Sequence, residues 1–176
     1  MRALVVYESQ FGTTHLIAEA IGRGLAETLD VEVVDVNAAL RLEGVDLLVV
    51  GGPTRGHGIS SVRTRAEAPK WTMNARLDSD AGGIGVRERL HVPPPFTALA
   101  ASFGTRTGIP HILSGAASDH VERRPAGHGL RSLTAPMSFL VETGDDLEHT
   151  ALDRARAAIV GHTALVTSAV DALPAT

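Results

Sequence analysis

The 176-residue chain has no cysteine, so disulfides, thiol nucleophiles and thiolate metal sites are excluded, and cysteine usage says nothing about compartment. Aromatic residues are scarce: one Trp, one Tyr and four Phe leave few rings for stacking on a planar ligand. Charge of either sign is not in large excess. A net charge of −4 gives no basic field to attract nucleic acid or anionic lipid, so no nucleic-acid partner is expected. No apolar run approaches the roughly 18 residues of a membrane span. The chain enters a strand-like run within three residues, without a signal-peptide apolar region, and a cytoplasmic protein is the expectation. Several catalytic signatures are also missing. There is no G-x-S-x-G elbow, the eight histidines show no i, i+4 ligand spacing, and no Walker A or G-x-G-x-x-G pattern occurs.

What is present is one domain's length, enough to bury a core, read here as a single domain over residues 1–176. Ala3–Tyr7 is a short apolar strand, followed by the loop Ser9-Gln10-Phe11-Gly12-Thr13-Thr14 and then helix-period apolar pairs: Leu16/Ile17, Ala20/Ile21, Gly24/Leu25 and Thr28/Leu29. Val31–Val36 reads as a second strand and residues 37–43 as a short helix stopped by Gly44. Val45–Val50 is nearly continuous apolar sequence, as in a central parallel strand buried on both faces. Gly51–Ser61 reads as a loop, and residues 62–95 as an excursion carrying the only Trp, Trp71, with a short helix at Val86–Leu90. Thr97–Phe103 is a fourth strand. The stripe from Ile112 to Val121 is a helix that Pro125 stops or kinks. Leu130–Thr134 is a fifth strand with a short extension at 138–142, and Leu152 to Val166 marks a final helix. Strands alternating with helices predict an α/β fold with a parallel sheet and right-handed crossovers.

A loop running from a strand end into a helix N-terminus offers backbone N–H groups and the positive end of the helix dipole to an anion. Ser9, Thr13 and Thr14 add hydroxyls, and Gly12 allows close backbone approach. The loop is a candidate phosphate cradle; its plainer reading is an N-capped turn. His15, in the first helical turn, reads as an exposed helix histidine. His120 and His162, on the apolar stripes of their helices, read as core-edge residues.

Ser9-x-Phe11-Gly12-x-Thr14 resembles the phosphate loop of flavodoxins, [ST]-x-[TFY]-G-x-T. Val45-Asp-Leu-Leu-Val-Val-Gly-Gly-Pro-Thr54 resembles the third strand of that family and the flavin loop after it. The resemblance implies a three-layer sandwich with a five-stranded parallel sheet in the order 2-1-3-4-5. The ligand crevice then lies at the carboxyl ends of strands 1 and 3, where the winding reverses. It implies non-covalent FMN as cofactor, with Ser9, Gln10, Phe11, Gly12, Thr13 and Thr14 at the phosphate. Pro53, Thr54, Arg55, Gly56, His57 and Gly58 would lie at the ring, in a region where a family peptide flips with flavin redox state. Ser102, Phe103, Gly104 and Thr105 would flank the ring from strand 4. The tyrosine usual in that third loop is absent, and Tyr7 stands elsewhere. Phe103 is either a stacking ring or the last core residue of its strand, and Trp71 is either a ring cover or packing.

No side chain stands out as an acid, base or nucleophile. The function implied is an FMN-binding redox protein, whether an electron carrier for a redox partner protein or a reductase of a small-molecule acceptor. The alternative is a flavin-free binding or regulatory module of the same fold. Response regulators share the topology, but the acidic pair after strand 1 and the Asp ending strand 3 are replaced by Tyr7-Glu8 and Gly51-Gly52. Nothing in the sequence sets the oligomeric state.

Overall fold

A computed structural model describes residues 1–38, 40–55, 58–67, 83–89, 97–106, 130–133 and 136–140. The helices expected from 112 to 121 and from 152 to 166, together with Trp71, His120 and His162, lie outside these residues.

Continuous β-branched and leucine sequence makes the centre of the sheet. β1 (Arg2–Tyr7), β2 (Asp30–Asp35), β3 (Leu47–Arg55) and β5 (Ala98–Arg106) run parallel in the order β2-β1-β3-β5, followed by β6 (Leu130–Ser132). This is the expected 2-1-3-4-5 arrangement. The fifth position is shared: β6 pairs with residues 98–100 of β5, and β7 (Met137–Leu140) pairs with residues 103–106. A two-residue strand, β4 (Gly58–Ile59), folds back antiparallel on the end of β3.

Each strand feeds two cores because successive side chains face opposite sides. Ala3, Val5, Leu47, Val49, Ala101 and Phe103 pack against α1 (Thr13–Leu25) through Ile17, Ala18, Ile21 and Leu25. Leu4, Val6, Leu48, Val50 and Ala100 fill the other face with Val86, the first residue of α3 (Val86–Arg89). The remaining helix among the described residues, α2 (Val62–Glu67), begins at a reciprocal cap. The Ser61 N–H donates to Thr64 Oγ1 at 2.8 Å, and the Thr64 N–H donates to Ser61 Oγ at 3.3 Å. No helix among the described residues is long and apolar enough to cross a membrane.

Three expectations are corrected. The inward stripe of α1 is rotated from the expected pairs: Ala18 and Gly22 face inward and Leu16 outward, because Gly22 closes directly on Val33 of β2. Residues 40–44 form no helix, since Arg2 Nη1 takes the carbonyl of Glu43 at 2.7 Å and that of Arg41 at 3.4 Å. Upstream, the Asp35 carboxylate holds the Asn37 N–H at 2.7 Å in an Asx turn. Finally, Gly51–Arg55 is strand, not loop, with Gly51, Gly52 and Pro53 registered against Phe103, Gly104 and Thr105. The register is possible because a Cβ on Gly51 would overlap the Phe103 ring.

Candidate functional site

At the carboxyl end of the sheet β3 and β5 run on past the end of β1, to Arg55 and Arg106. Tyr7 is registered with Gly51, Gly51 with Phe103, and the Glu8 N–H donates to the Gly51 carbonyl at 2.9 Å. The segments leaving these strands therefore emerge at one end of the sheet, at the winding reversal where α/β folds open a crevice.

In the first of these segments, Gly12 is the N-cap of α1 with φ 82° and ψ −26°. That left-handed backbone suits glycine. Gly12 has no side chain to cap the helix, so no side-chain cap bond is made there, and the first-turn N–H groups have no acceptor from an N-cap side chain. Ser9 Oγ stabilises the turn by accepting the Gly12 N–H at 3.0 Å. Gln10 is only 2% exposed, and neither its amide nitrogen nor its amide oxygen has a hydrogen-bond partner. A buried primary amide without a partner costs about 1–3 kcal/mol. Its presence beside an uncapped helix start suits a loop built to meet a polar ligand. Phe11 and Thr13 are half-buried.

Thr14 is buried and its hydroxyl lies 2.8 Å from that of Thr105. This bond joins the Ser9–Thr14 segment to the end of β5 across 91 positions of sequence. Two hydroxyls carry two protons. One is spent on the mutual bond, and among the described residues the other has no acceptor beyond the pair.

The second segment is a hairpin. Thr54 pairs with Ile59, and the backbone of Arg55 with that of Gly58, while Pro53 is buried and registered with Thr105. Gly56 and His57 lie outside the described residues. In the third, Ser102 and Gly104 are strand residues registered with Val50 and Gly52. Phe103 is fully buried, its ring over Gly51 and edge-on to Phe139 at 6.3 Å. Of its two sequence readings the core one is correct, and its ring presents no face to a ligand. Tyr7 also has its own partner, a parallel stack with the His15 imidazole at 4.7 Å between centroids. His15, expected as an exposed helix histidine, is half-exposed and stacked on Tyr7, with Nε2 at 3.7 Å from Glu19.

Sequence reasoning missed a charged chain beside this site. Glu8 follows β1 and is 3% exposed. Its carboxylate accepts the Ser60 hydroxyl and, at 2.9 Å, the Val86 N–H. Arg65 of α2, also buried, lies 4.0 Å from that carboxylate and donates to Ser60 Oγ at 3.1 Å and to Glu88 at 2.8 Å. Burial pushes the Glu8 carboxyl above its ordinary value, and the bonds from Ser60 and Val86 and the Arg65 charge offset this only in part. For Glu88, burial pushes upward too. There the Arg65 hydrogen bond and charge, with the Gly85 N–H, outweigh it and hold the group below its ordinary value.

The comparisons agree with this geometry. Residues 4–68, which contain the first loop and the β3–β4 hairpin, match the Flavodoxin domain family. Flavodoxin 1 of Bacillus cereus superposes with a TM-score of 0.63 at 17% identity, covering 99% of this chain and all of the other. A flavodoxin from the domain Archaea gives 0.57 at 19% identity, covering 95% of this chain and 99% of its own. Rubredoxin oxygen:oxidoreductase of Desulfovibrio gigas gives 0.55 at 13% identity, with 97% of this chain matching 37% of that larger one. No curated protein matches the sequence. The chain is flavodoxin-like, in its fold and in the sequence of its N-terminal third.

Proposed function

We propose that this chain binds FMN and works as a redox protein, passing electrons to a partner protein or to a small acceptor. The observation that carries the reading is the first loop: an uncapped helix start behind a left-handed Gly12, with the unpartnered Gln10 amide buried beside it. Such a nest binds a phosphate dianion without a basic side chain, each charge-assisted bond contributing about 1.5–3 kcal/mol. Gln10 to Thr14 would hold the phosphate, with Ser9 shaping the turn. The spare proton of the Thr14–Thr105 pair serves an acceptor just inside it. Pro53 to Gly58 and the end of β5 would border the ring. FMN supplies the electron chemistry, and the protein fixes its place and potential.

Phe103 being committed to the core removes a ring from the third loop and favours an open flavin face, on which a flat acceptor can stack. That supports a reductase over a carrier. In the other relevant reading, a flavin-free module, the nest is only a turn.

Absorption of the purified chain after FMN addition and desalting tests the reading, with riboflavin as the phosphate-free control. Retained flavin bands with FMN but not riboflavin are expected. Retention of neither would refute the reading.

A further inference from the structure

Tyr7 faces α1, so Glu8, one residue on, turns to the opposite side of the sheet, the side of Val86. Four segments meet at its carboxylate. The end of β1 supplies Glu8 itself. Ser60, the residue immediately after β4, closes the β3–β4 hairpin onto it. α2 supplies Arg65, and α3 with its preceding turn supplies the Val86 N–H, Glu88 and Gly85. Arg65 bridges the two acids, which are held on either side of its guanidinium, and a Cβ on Gly85 would overlap Nη1. No other described titratable side chain contributes to the field at Glu8.

Buried ion pairs are a poor way to gain stability, since desolvation offsets most of the attraction; what they do well is fix one arrangement among several. Here the arrangement fixed is the return of the hairpin at the crevice end of the sheet. We propose that the chain Glu8–Ser60–Arg65–Glu88 is a positioning device for the flavin-ring hairpin, holding its return strand, Gly58–Ile59, and Ser60 against the crevice end of the sheet so that the hairpin meets the ring of bound FMN in a set geometry. The proposal rests on the flavin reading above. Glu8 and Arg65 are positioning residues and carry no electron or proton in the reaction.

Two measurements test it. Hydrogen exchange on the flavin-free chain reads the clamp alone. Glu8→Gln and Arg65→Met each raise exchange over residues 58–61 by about tenfold, with β2 unchanged, and the double variant adds little more. If Arg65→Met fails to fold, Arg65→Lys keeps the charge, loses the planar fork and gives the same rise. Unchanged exchange in these variants overturns the clamp. Flavin titration then reads the positioning. Glu8→Gln weakens FMN and riboflavin by the same factor, because it disturbs the ring side and spares the phosphate nest. It also changes the relative affinity for the two oxidation states about tenfold, which is about 30 mV for a two-electron couple. Raised exchange with an unmoved potential overturns the positioning role. If the wild-type chain binds no flavin, the proposed function falls and the ring half of this proposal with it, while the exchange result still decides the clamp.

Discussion

The Thr14–Thr105 bond ties the start of α1 to the end of β5, and burial sets its energetics. Both hydroxyls are buried and 2.8 Å apart. Thr→Val replaces the hydroxyl with a methyl of nearly the same size, so neither variant leaves a cavity. Thr14→Val strands the Thr105 hydroxyl without its partner, and Thr105→Val does the reverse. A buried hydroxyl left unpaired costs about 1–3 kcal/mol, whereas replacing both members by apolar groups of the same shape is nearly neutral. Each single variant is therefore destabilised by about 1–3 kcal/mol, and the double variant by less than either single. In thermal unfolding of a domain this long, each kcal/mol corresponds to about 2–4 °C. Chemical denaturation with unchanged slope reads the same cycle at 25 °C. If the losses of the two singles simply add in the double variant, the hydroxyls are independently solvated and the bond does not join the loop to the strand. A ligand acceptor for the spare proton adds a second reading. Added FMN should then protect wild type more than the double variant.

Gly51→Val drives a branched side chain into the Phe103 ring and is expected to cost about 1–3 kcal/mol or more, with Phe103→Leu restoring part of it; chemical denaturation of both variants checks this. Gly12→Asp puts a side chain on a left-handed backbone and an anion in the nest, so FMN retention is lost while the far-UV circular dichroism stays native. The pH dependence of stability separates the two acids. Glu8, raised by burial, binds its proton more tightly folded than unfolded. Its contribution is complete below the ordinary carboxyl value of 4.5 and is lost as pH rises through its folded value. Glu88, lowered, contributes above 4.5 and loses that contribution as pH falls through its folded value. Denaturation midpoints of Glu8→Gln and Glu88→Gln against wild type should thus diverge with opposite slopes across the acid range, and equal slopes would refute the assignment.

The parts of this fold legible in the sequence are those fixed by local periodicity. Val45–Val50 and Ala3–Tyr7 read as buried strands because nothing but a two-faced core accommodates such runs. The strand–Gly–helix junction was legible because the apolar strand, Gly12 and the helix-period residues after it are all local signals. What could not be read depended on partners distant in sequence. Gly51–Arg55 carries glycines and proline, the composition of a loop, and is strand only because Phe103 needs the space over Gly51 and Pro53 lies level with Thr105. The rotated face of α1 depends on Val33 meeting Gly22. A helix over 37–43 fails because Arg2, at the far edge of β1, takes its carbonyls.

Glu8 is the most instructive of these. One charged residue after a strand usually faces solvent, and its neighbours Tyr7 and Ser9 gave no reason to think otherwise. Two local signals were nonetheless present. The Ser61-x-x-Thr64 spacing marked a helix start just after the β3–β4 hairpin, and Arg65 one residue later placed a cation within that helix's first turns. An acid leaving β1 and a cation in a helix after β3 converge on neighbouring strands of the same sheet, at the same end. Order 2-1-3-4-5 brings them to one end of the sheet, and the alternation that turns Tyr7 to α1 turns Glu8 to the face where Arg65 lies. Topology, once accepted, predicts charge pairs that no window of sequence contains, and the ends of the central strands are where to look for them.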